Sequence, residues 1–185
     1  MQTIPPDQAV SVLRSGGVIA YPTEGVWGLG CDPSDEAAVL RLLAIKQRDV
    51  AKGLILVAAD PAQLDALVDW TALPARRRDA VLASWPGPHT WIVPATARVP
   101  RWVSGGRPTV AVRVSAHPVV AALCAGFGHA LVSTSANAAG EPPPLALDAL
   151  APGIRGGVDA IVAGETSGLS QPTTIRDARD GTQLR

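Results

Sequence analysis

Residues 34–57, SDEAAVLRLLAIKQRDVAKGLILV, decide the fold. Ser34 is placed to cap a helix whose first turn carries Asp35 and Glu36, where carboxylates meet the positive end of the helix dipole. Ala38, Val39, Leu42, Leu43 and Ile45 recur at the spacing of one apolar helical face. That periodicity runs out at Lys46 to Arg48. Leu54-Ile55-Leu56-Val57 follows as an uninterrupted apolar run, the pattern of a strand buried on both faces. A helix that feeds a buried strand through a short loop is the building unit of an α/β sheet.

The same alternation extends in both directions. Residues 7–15 form an apolar-faced helix stopped by Gly16-Gly17, and residues 18–21 a strand ended by Pro22. Asp60-Pro61 is a cap and first-turn pair for a further helix, and residues 76–85 form another, broken by Pro86-Gly87-Pro88. Strands are expected at 90–93 and 109–114 with a Pro/Arg/Gly loop between them, then a helix at 117–125 and a strand at 130–133. Residues 140–144 read as loop, 160–162 as strand, and 175–184 as a terminal hairpin around Asp180-Gly181. No internal repeat, low-complexity tract or dividing linker interrupts the chain, so residues 1–185 are expected to form a single domain.

Composition narrows the class. With 185 residues, 47% of them apolar, the chain can bury one substantial core. Sixteen basic residues balance sixteen acidic ones, which removes a general nucleic-acid coat and a polybasic membrane binder while leaving a local basic groove open. No run of 18 apolar residues occurs, and residues 1–7 have neither the basic nor the apolar part of a secretory leader. Cys31 and Cys124 stand far apart with no CxxC, so neither a disulfide scaffold nor a structural zinc site is expected, and the cytoplasm is the expected compartment. Arginine occurs fourteen times and lysine only twice, as Lys46 and Lys52 within one seven-residue window.

The common nucleotide and metal signatures are missing. There is no GxxxxGK[ST], no GxGxxG order and no HExxH, and His89, His117 and His129 each adjoin proline or glycine, positions suited to capping or surface roles. Three segments carry chemistry instead. YPTEGVWGLGC, residues 21–31, puts Thr23 and glycine-freed amides at a strand's carboxyl end, where open α/β sheets bind ligands; an ordinary glycine-rich turn is the alternative. KQRDVAKGL, residues 46–54, converges three cations on a loop at a strand mouth, either as a polyphosphate clamp or as plain C-capping of the helix. LVSTSANAAG, residues 131–140, follows a strand with hydroxyls and an amide suited to an anion-binding nest. A nucleophilic Ser133 or Ser135 competes with that, though the flanks lack GxSxG.

Six blocks in order, PTEGVWGLGCDP, KQRDVAKGLILV, SWPGPHTWIVPA, TVAVRVSAHP, LVSTSANAAGEPP and PTTIRD, resemble the YrdC/TsaC family of threonylcarbamoyl-AMP synthases. The resemblance runs from about Gln8 to the C-terminus, with the family's K-x-R and S-x-N signatures standing as Lys46-Gln47-Arg48 and Ser135-Ala136-Asn137. The length is similar to that of the short, single-domain members. The resemblance implies a twisted open α/β sheet with flanking helices and a concave basic ligand groove. It implies a nucleotidyltransferase that condenses L-threonine, bicarbonate and ATP into threonylcarbamoyl-AMP, releasing pyrophosphate, with Mg²⁺ accompanying the ATP. The product serves a threonylcarbamoyladenosine modification of tRNA and passes to a tRNA threonylcarbamoyl transferase complex.

The resemblance also implies roles. Lys46 and Arg48 would be the catalytic cations and, with Lys52, would face the ATP phosphates; Ser135 and Asn137 would lie at the adenylate, with Arg185 matching a late arginine near the nucleotide. Thr23, Arg113, Ser133 and Thr173 match positions around the threonine, where Arg113 would fork onto the carboxylate. An arginine alternating within Val110-Ala111-Val112-Arg113-Val114 needs an anionic partner if it faces inward. Three positions depart from the pattern: Val57 replaces a histidine common in longer members, Lys52 an asparagine, and Trp27 a tyrosine. Two other classes remain: an RNA-binding module, for which Arg76-Arg77-Arg78 supplies cations and direct tRNA contact would follow, and a serine hydrolase.

Overall fold

The computed structural model describes residues 2–169 and 173–184. Its helices and strands are, in chain order, β1 (Thr3–Ile4), α1 (Pro6–Arg14), β2 (Ile19–Pro22), β3 (Trp27–Gly30), α2 (Glu36–Lys46), β4 (Ile55–Ala58), α3 (Ala75–Ala83), β5 (His89–Pro94), α4 (Arg101–Ser104), β6 (Thr109–Val114), α5 (Pro118–Phe127), β7 (Leu131–Ser135), α6 (Pro152–Gly157), β8 (Ala160–Val162) and β9 (Thr174–Asp177). The strands join in the order β1-β8-β2-β3-β7-β4-β6-β5-β9. Parallel pairs (β1 with β8, β8 with β2, β4 with β6, β5 with β9) occur beside antiparallel ones (β2 with β3, β3 with β7, β7 with β4, β6 with β5), which makes the twisted α/β sheet mixed.

Strand alternation divides the core in two. Leu56, Val112 and Val132 join the larger cluster, with Ala38, Val39, Leu42 and Leu43 of α2. Ile19, Tyr21, Val57 and Leu131 face the other way, onto Ala9, Val10 and Leu13 of α1 and Val120, Leu123 and Phe127 of α5. Each fully buried Leu or Val contributes about 1.5–3 kcal/mol relative to exposure, so both layers are substantial. The second cluster covers only part of its face. Toward β6 and β5 the same face is left for the cleft described below.

Several boundaries differ from the sequence expectation. The cap of α2 is Asp35, which accepts from the Ala38 amide, while Ser34 donates to Asp32. The Asp60-Pro61 pair opens a single 3-10 turn, Pro61–Leu64, rather than a helix. Residues 101–104, expected as loop, form α4, and β1 and α6 have no counterpart in the sequence pattern. The terminal hairpin takes the form of β9 returning through a bridge between Arg176 and Gln183. The largest difference is β3, where a glycine-rich turn was expected: Trp27-Gly28-Leu29-Gly30 pairs antiparallel with β2 and with β7.

Glycine serves β3 by leaving room. A Cβ on Gly30 would stand 2.7 Å from Val132 O and 2.8 Å from the Tyr21 ring. The phenol lies across the strand on the space that the glycine vacates. No helix among the described residues is long and apolar enough to cross a membrane. Gly30→Ala should therefore strain β2 against β7 and cost about 1–3 kcal/mol of unfolding free energy, measured by urea denaturation. A loss under 0.5 kcal/mol would show that Tyr21 moves aside freely.

Candidate active site

The end of α2 sends two neighbouring cations in different directions. Gln47 caps the helix in the left-handed conformation, φ 52°, and its turn is closed by Arg48 N donating to Leu43 O. Lys46, on the last helical turn, is 2% exposed, and its Nζ donates to the backbone carbonyls of Ser135 and Asn137, the latter at 2.7 Å. Lys46 O in turn accepts from Ala139 N. The helix end is thus fastened to the loop that follows β7. Burial, followed by the nearby Arg48 charge, lowers the Lys46 pKa to about 8.

Past the left-handed turn, Arg48 enters a cleft of about 230 Å³ on the sheet face that α1 and α5 leave uncovered. Ile55 of β4, Ala111 and Arg113 of β6, Ser133 and Ser135 of β7, Gly28 of β3 and Ile92 of β5 line it, all in matching register. Thr23, Lys52 and Thr173 complete the set of predicted residues that the structure brings to this cleft. Lys46 and Asn137 are not on its wall. Asn137 Nδ2 donates to Ala138 O and Glu141 O, bracing its own loop. Arg185 lies outside the described residues.

One end of the cleft is cationic. Arg48 donates to Gly53 O, and Arg107 donates to Lys52 O and Ala51 O. Among the described residues, neither arginine nor Lys52 forms an ion pair with a carboxylate. Burial and the Arg107 charge lower the Arg48 pKa, the signature of cations crowded without a counter-ion. Gly53, at φ 68°, brings the backbone against Arg107: a Cβ there would meet Arg107 Nη1 at 3.1 Å.

The other end is built around Arg113, which is 5% exposed. Its Nη1 donates to Thr173 Oγ1 at 3.0 Å, and its Nη2 stands 3.6 Å from Glu24 Oε2. The anionic partner that the strand pattern demanded is therefore Glu24, itself 5% exposed, whose Oε1 accepts from Ser115 Oγ at 2.7 Å and from Ala116 N. Thr23 Oγ1 donates to Val26 O, closing the turn that carries Glu24. Beside them Tyr21 Oη donates to Ser133 Oγ at 2.8 Å, and burial raises the phenol pKa, so Ser133 has no base in Tyr21. His117, expected in a capping or surface role, occupies the N-cap position of α5 without a side-chain cap bond, and is buried with Nε2 paired to Glu165 O.

Sequence reasoning missed Glu24, Ser115, Tyr21 and Arg107. Glu24 sat inside the quoted PTEGVWGLG block, and its signal was a charged side chain flanked by residues meant for the interior. Among the described residues no cluster of three His, Cys, Asp or Glu side chains can hold a metal ion, and no carboxylate lines the cleft.

Comparison with known proteins follows the same outline. Residues 11–185 match the Sua5/YciO/YrdC family model, described as telomere recombination. A threonylcarbamoyl-AMP synthase of Xanthomonas euvesicatoria pv. vesicatoria is 62% identical over 99% of this chain and 98% of its own length. P. abyssi Sua5, as the H234A/Y235A variant, superposes with a TM-score of 0.90 at 32% identity over 97% of this chain. The same protein complexed with L-threonine gives 0.86, also at 32% identity, over 93%. This chain spans 55% and 50% of those two longer chains.

The placement of the two lysines can be measured separately, since there are only two. In protein carrying 13Cε-lysine, one resonance should titrate near pH 8 and vanish in Lys46→Met. The depressed value means that the unfolded chain binds more protons between pH 8 and the ordinary lysine pKa. Lys46's contribution to stability should therefore improve as pH rises through that window. Lys46→Met should also cost about 2–4 kcal/mol by leaving two carbonyls unpaired, whereas exposed Lys52→Ala should stay within about 0.5 kcal/mol.

Proposed function

The chain belongs to the Sua5/YciO/YrdC family, and on that premise we infer that it is an L-threonylcarbamoyladenylate synthase, a nucleotidyltransferase that makes threonylcarbamoyl-AMP for tRNA modification. ATP, L-threonine and bicarbonate are its substrates and pyrophosphate its second product. The observation that carries the assignment of subsites is the polarity of one cleft. A carboxylate-paired arginine stands among hydroxyls at one end, and cations with no carboxylate partner among the described residues stand at the other.

The chemistry asks the protein to orient rather than to attack. Threonine's amine takes up the bicarbonate carbon with loss of water, and a carbamate oxygen then displaces pyrophosphate from the α-phosphate of ATP. Holding two anions in line is worth several kcal/mol of barrier, and cations at the leaving pyrophosphate add more. Arg113 grips the threonine carboxylate through its fork, with Thr23, Ser133 and Thr173 around the amino acid. Arg48, Lys52 and Arg107 face the polyphosphate, and Ser135 and the Asn137 loop meet the adenylate. Lys46 acts in this arrangement by holding the carbonyls of Ser135 and Asn137, so that the S-x-N loop stays against the nucleotide. Arg185, beyond the described residues, is carried as a further nucleotide contact.

Mg²⁺ would arrive with the nucleotide. The donor set of the cleft, hydroxyls and cations without carboxylates, does not fit a resident metal, so its ligands would be phosphate oxygens and water. The cytoplasm is the compartment that this reaction requires, and a tRNA threonylcarbamoyl transferase complex is the recipient of the product. Two of the three consecutive arginines offered for direct tRNA contact are engaged within the chain, Arg77 donating to Asp180 O and Arg78 pairing with Asp79.

Pyrophosphate should appear only when ATP, L-threonine and bicarbonate are all present, and L-serine should react less well by about 1 kcal/mol for the missing methyl contact. Release that ignores threonine would overturn the synthase assignment. Arg113→Lys keeps a charge but loses the fork, so threonine affinity should fall by about 1.5–3 kcal/mol while ATP affinity measured without threonine holds. Isothermal titration of each ligand checks both halves; equal weakening would put Arg113 on the nucleotide instead.

A further inference from the structure

The two cationic ends of the cleft are unequal in one respect that the assigned reaction does not by itself explain. Arg113 has a resident counter-ion, buried Glu24, whereas Arg48, Lys52 and Arg107 have none among the described residues. Glu24 is held firmly: Ser115 Oγ and Ala116 N both donate to Oε1, and Ser115 Oγ also accepts from His117 N at the start of α5. Its Oε2 faces Arg113 at 3.6 Å, beyond hydrogen-bonding reach, and has no hydrogen-bond donor. Arg113 Nε is likewise buried without an acceptor. The pair is thus coupled by charge and not by a shared proton, and the orientation of the guanidinium comes from Thr173 and from the β6 backbone. Donor capacity on Arg113 remains for an incoming acceptor.

We propose that Glu24 sorts the two anionic substrates, directing the monoanionic amino-acid carboxylate to Arg113 and keeping polyphosphate off it. This inference rests on the synthase assignment. A buried guanidinium without a counter-ion would be the strongest anion trap in the cleft, and a polyphosphate carries several charges against the carboxylate's one. With Glu24 fixed beside it, Arg113 presents close to zero net charge. A carboxylate still gains two directed hydrogen bonds there, a geometric reward that one fixed negative charge does not cancel. A polyphosphate meets the same negative charge with several of its own, and finds uncompensated cations at the far end. Like-charge rejection of the wrong partner is an established source of selectivity. Glu24 is a positioning and specificity residue in this scheme: it touches Arg113 and not the substrate.

The test uses inorganic tripolyphosphate as the probe and isothermal titration of L-threonine as the readout, with sodium chloride controls at equal ionic strength. In the wild-type protein, saturating tripolyphosphate should leave the threonine Kd within twofold. In Glu24→Gln the same addition should raise it at least tenfold, because the probe now competes for Arg113, while threonine alone binds as well as in wild type or better. A purely structural role would lower the melting temperature without creating this competition. Competition in wild type, or its absence in a Glu24→Gln protein that binds threonine, overturns the proposal. Should Glu24→Gln fail to fold, Arg48→Ala/Arg107→Ala decides: with Glu24 intact and Lys52 alone left at the far end, tripolyphosphate should leave the threonine Kd within twofold, and displacement of threonine overturns the proposal. Wild-type pyrophosphate release with all three substrates tests the synthase assignment separately, so either idea can fail alone.

Discussion

A buried ammonium held by two carbonyls organises this molecule's chemistry. Lys46 Nζ ties the end of α2 to the chain just beyond β7, and the return bond from Ala139 N to Lys46 O closes the connection from the other side. Without that tie, the S-x-N loop would keep its backbone bonds, from Ala136 N to Trp27 O and from Ala139 N to Lys46 O, but lose the side-chain fastening at Ser135 and Asn137. With it, the loop is referenced to the same helix end that releases Arg48 into the cleft. A lysine suits this place because its compact ammonium can serve two carbonyls at the end of a thin stem. The lowered pKa is the electrostatic cost of that burial.

Around that tie, the sheet supplies a partitioned face. Where α1 and α5 cover it, apolar side chains from β2, β4 and β7 are sealed away. Where they do not, the same register positions become the cleft floor, where Arg113, Ser133 and Ser135 stand among Ile55, Ile92 and Ala111. Tyr21 stands at the border, its ring in the core and its hydroxyl on Ser133. Core and cleft thus meet on one surface, with the fully buried Tyr21 phenol at the seam and Leu54, Val103 and Val110 belonging to both.

Much of this was legible in sequence, and the failures have physical causes. Helices and strands with strong periodicity, such as α2, β4 and β6, emerged close to their observed bounds. β3 was hidden because glycines that make room for a ring look the same in sequence as glycines that make a turn. The clustering of Thr23, Arg48, Lys52, Arg113, Ser133, Ser135 and Thr173 came from the family resemblance, and the cleft collects all of them. Lys46 and Arg48 looked like a pair of phosphate ligands because they are two residues apart. Their divergence depends on a left-handed backbone at Gln47, a conformation that a non-glycine residue does not advertise. Arg113's need for an anion was readable from strand alternation, but the identity of that anion was not, since Glu24 is contributed by a loop 89 positions earlier.

β7 also acts as a ruler. Ser133 stands beside Tyr21 in the cleft and Ser135 at the point fastened by Lys46, and both lie on one strand face, two residues apart. Two strand residues span about 6.5–7 Å, so under the proposed assignment of subsites the spacing between them is written into one covalent segment. Such a gauge cannot be lengthened gradually. A single inserted residue would turn one serine to the opposite face, so evolutionary change in the distance between subsites has to come from the loops at either end of β7.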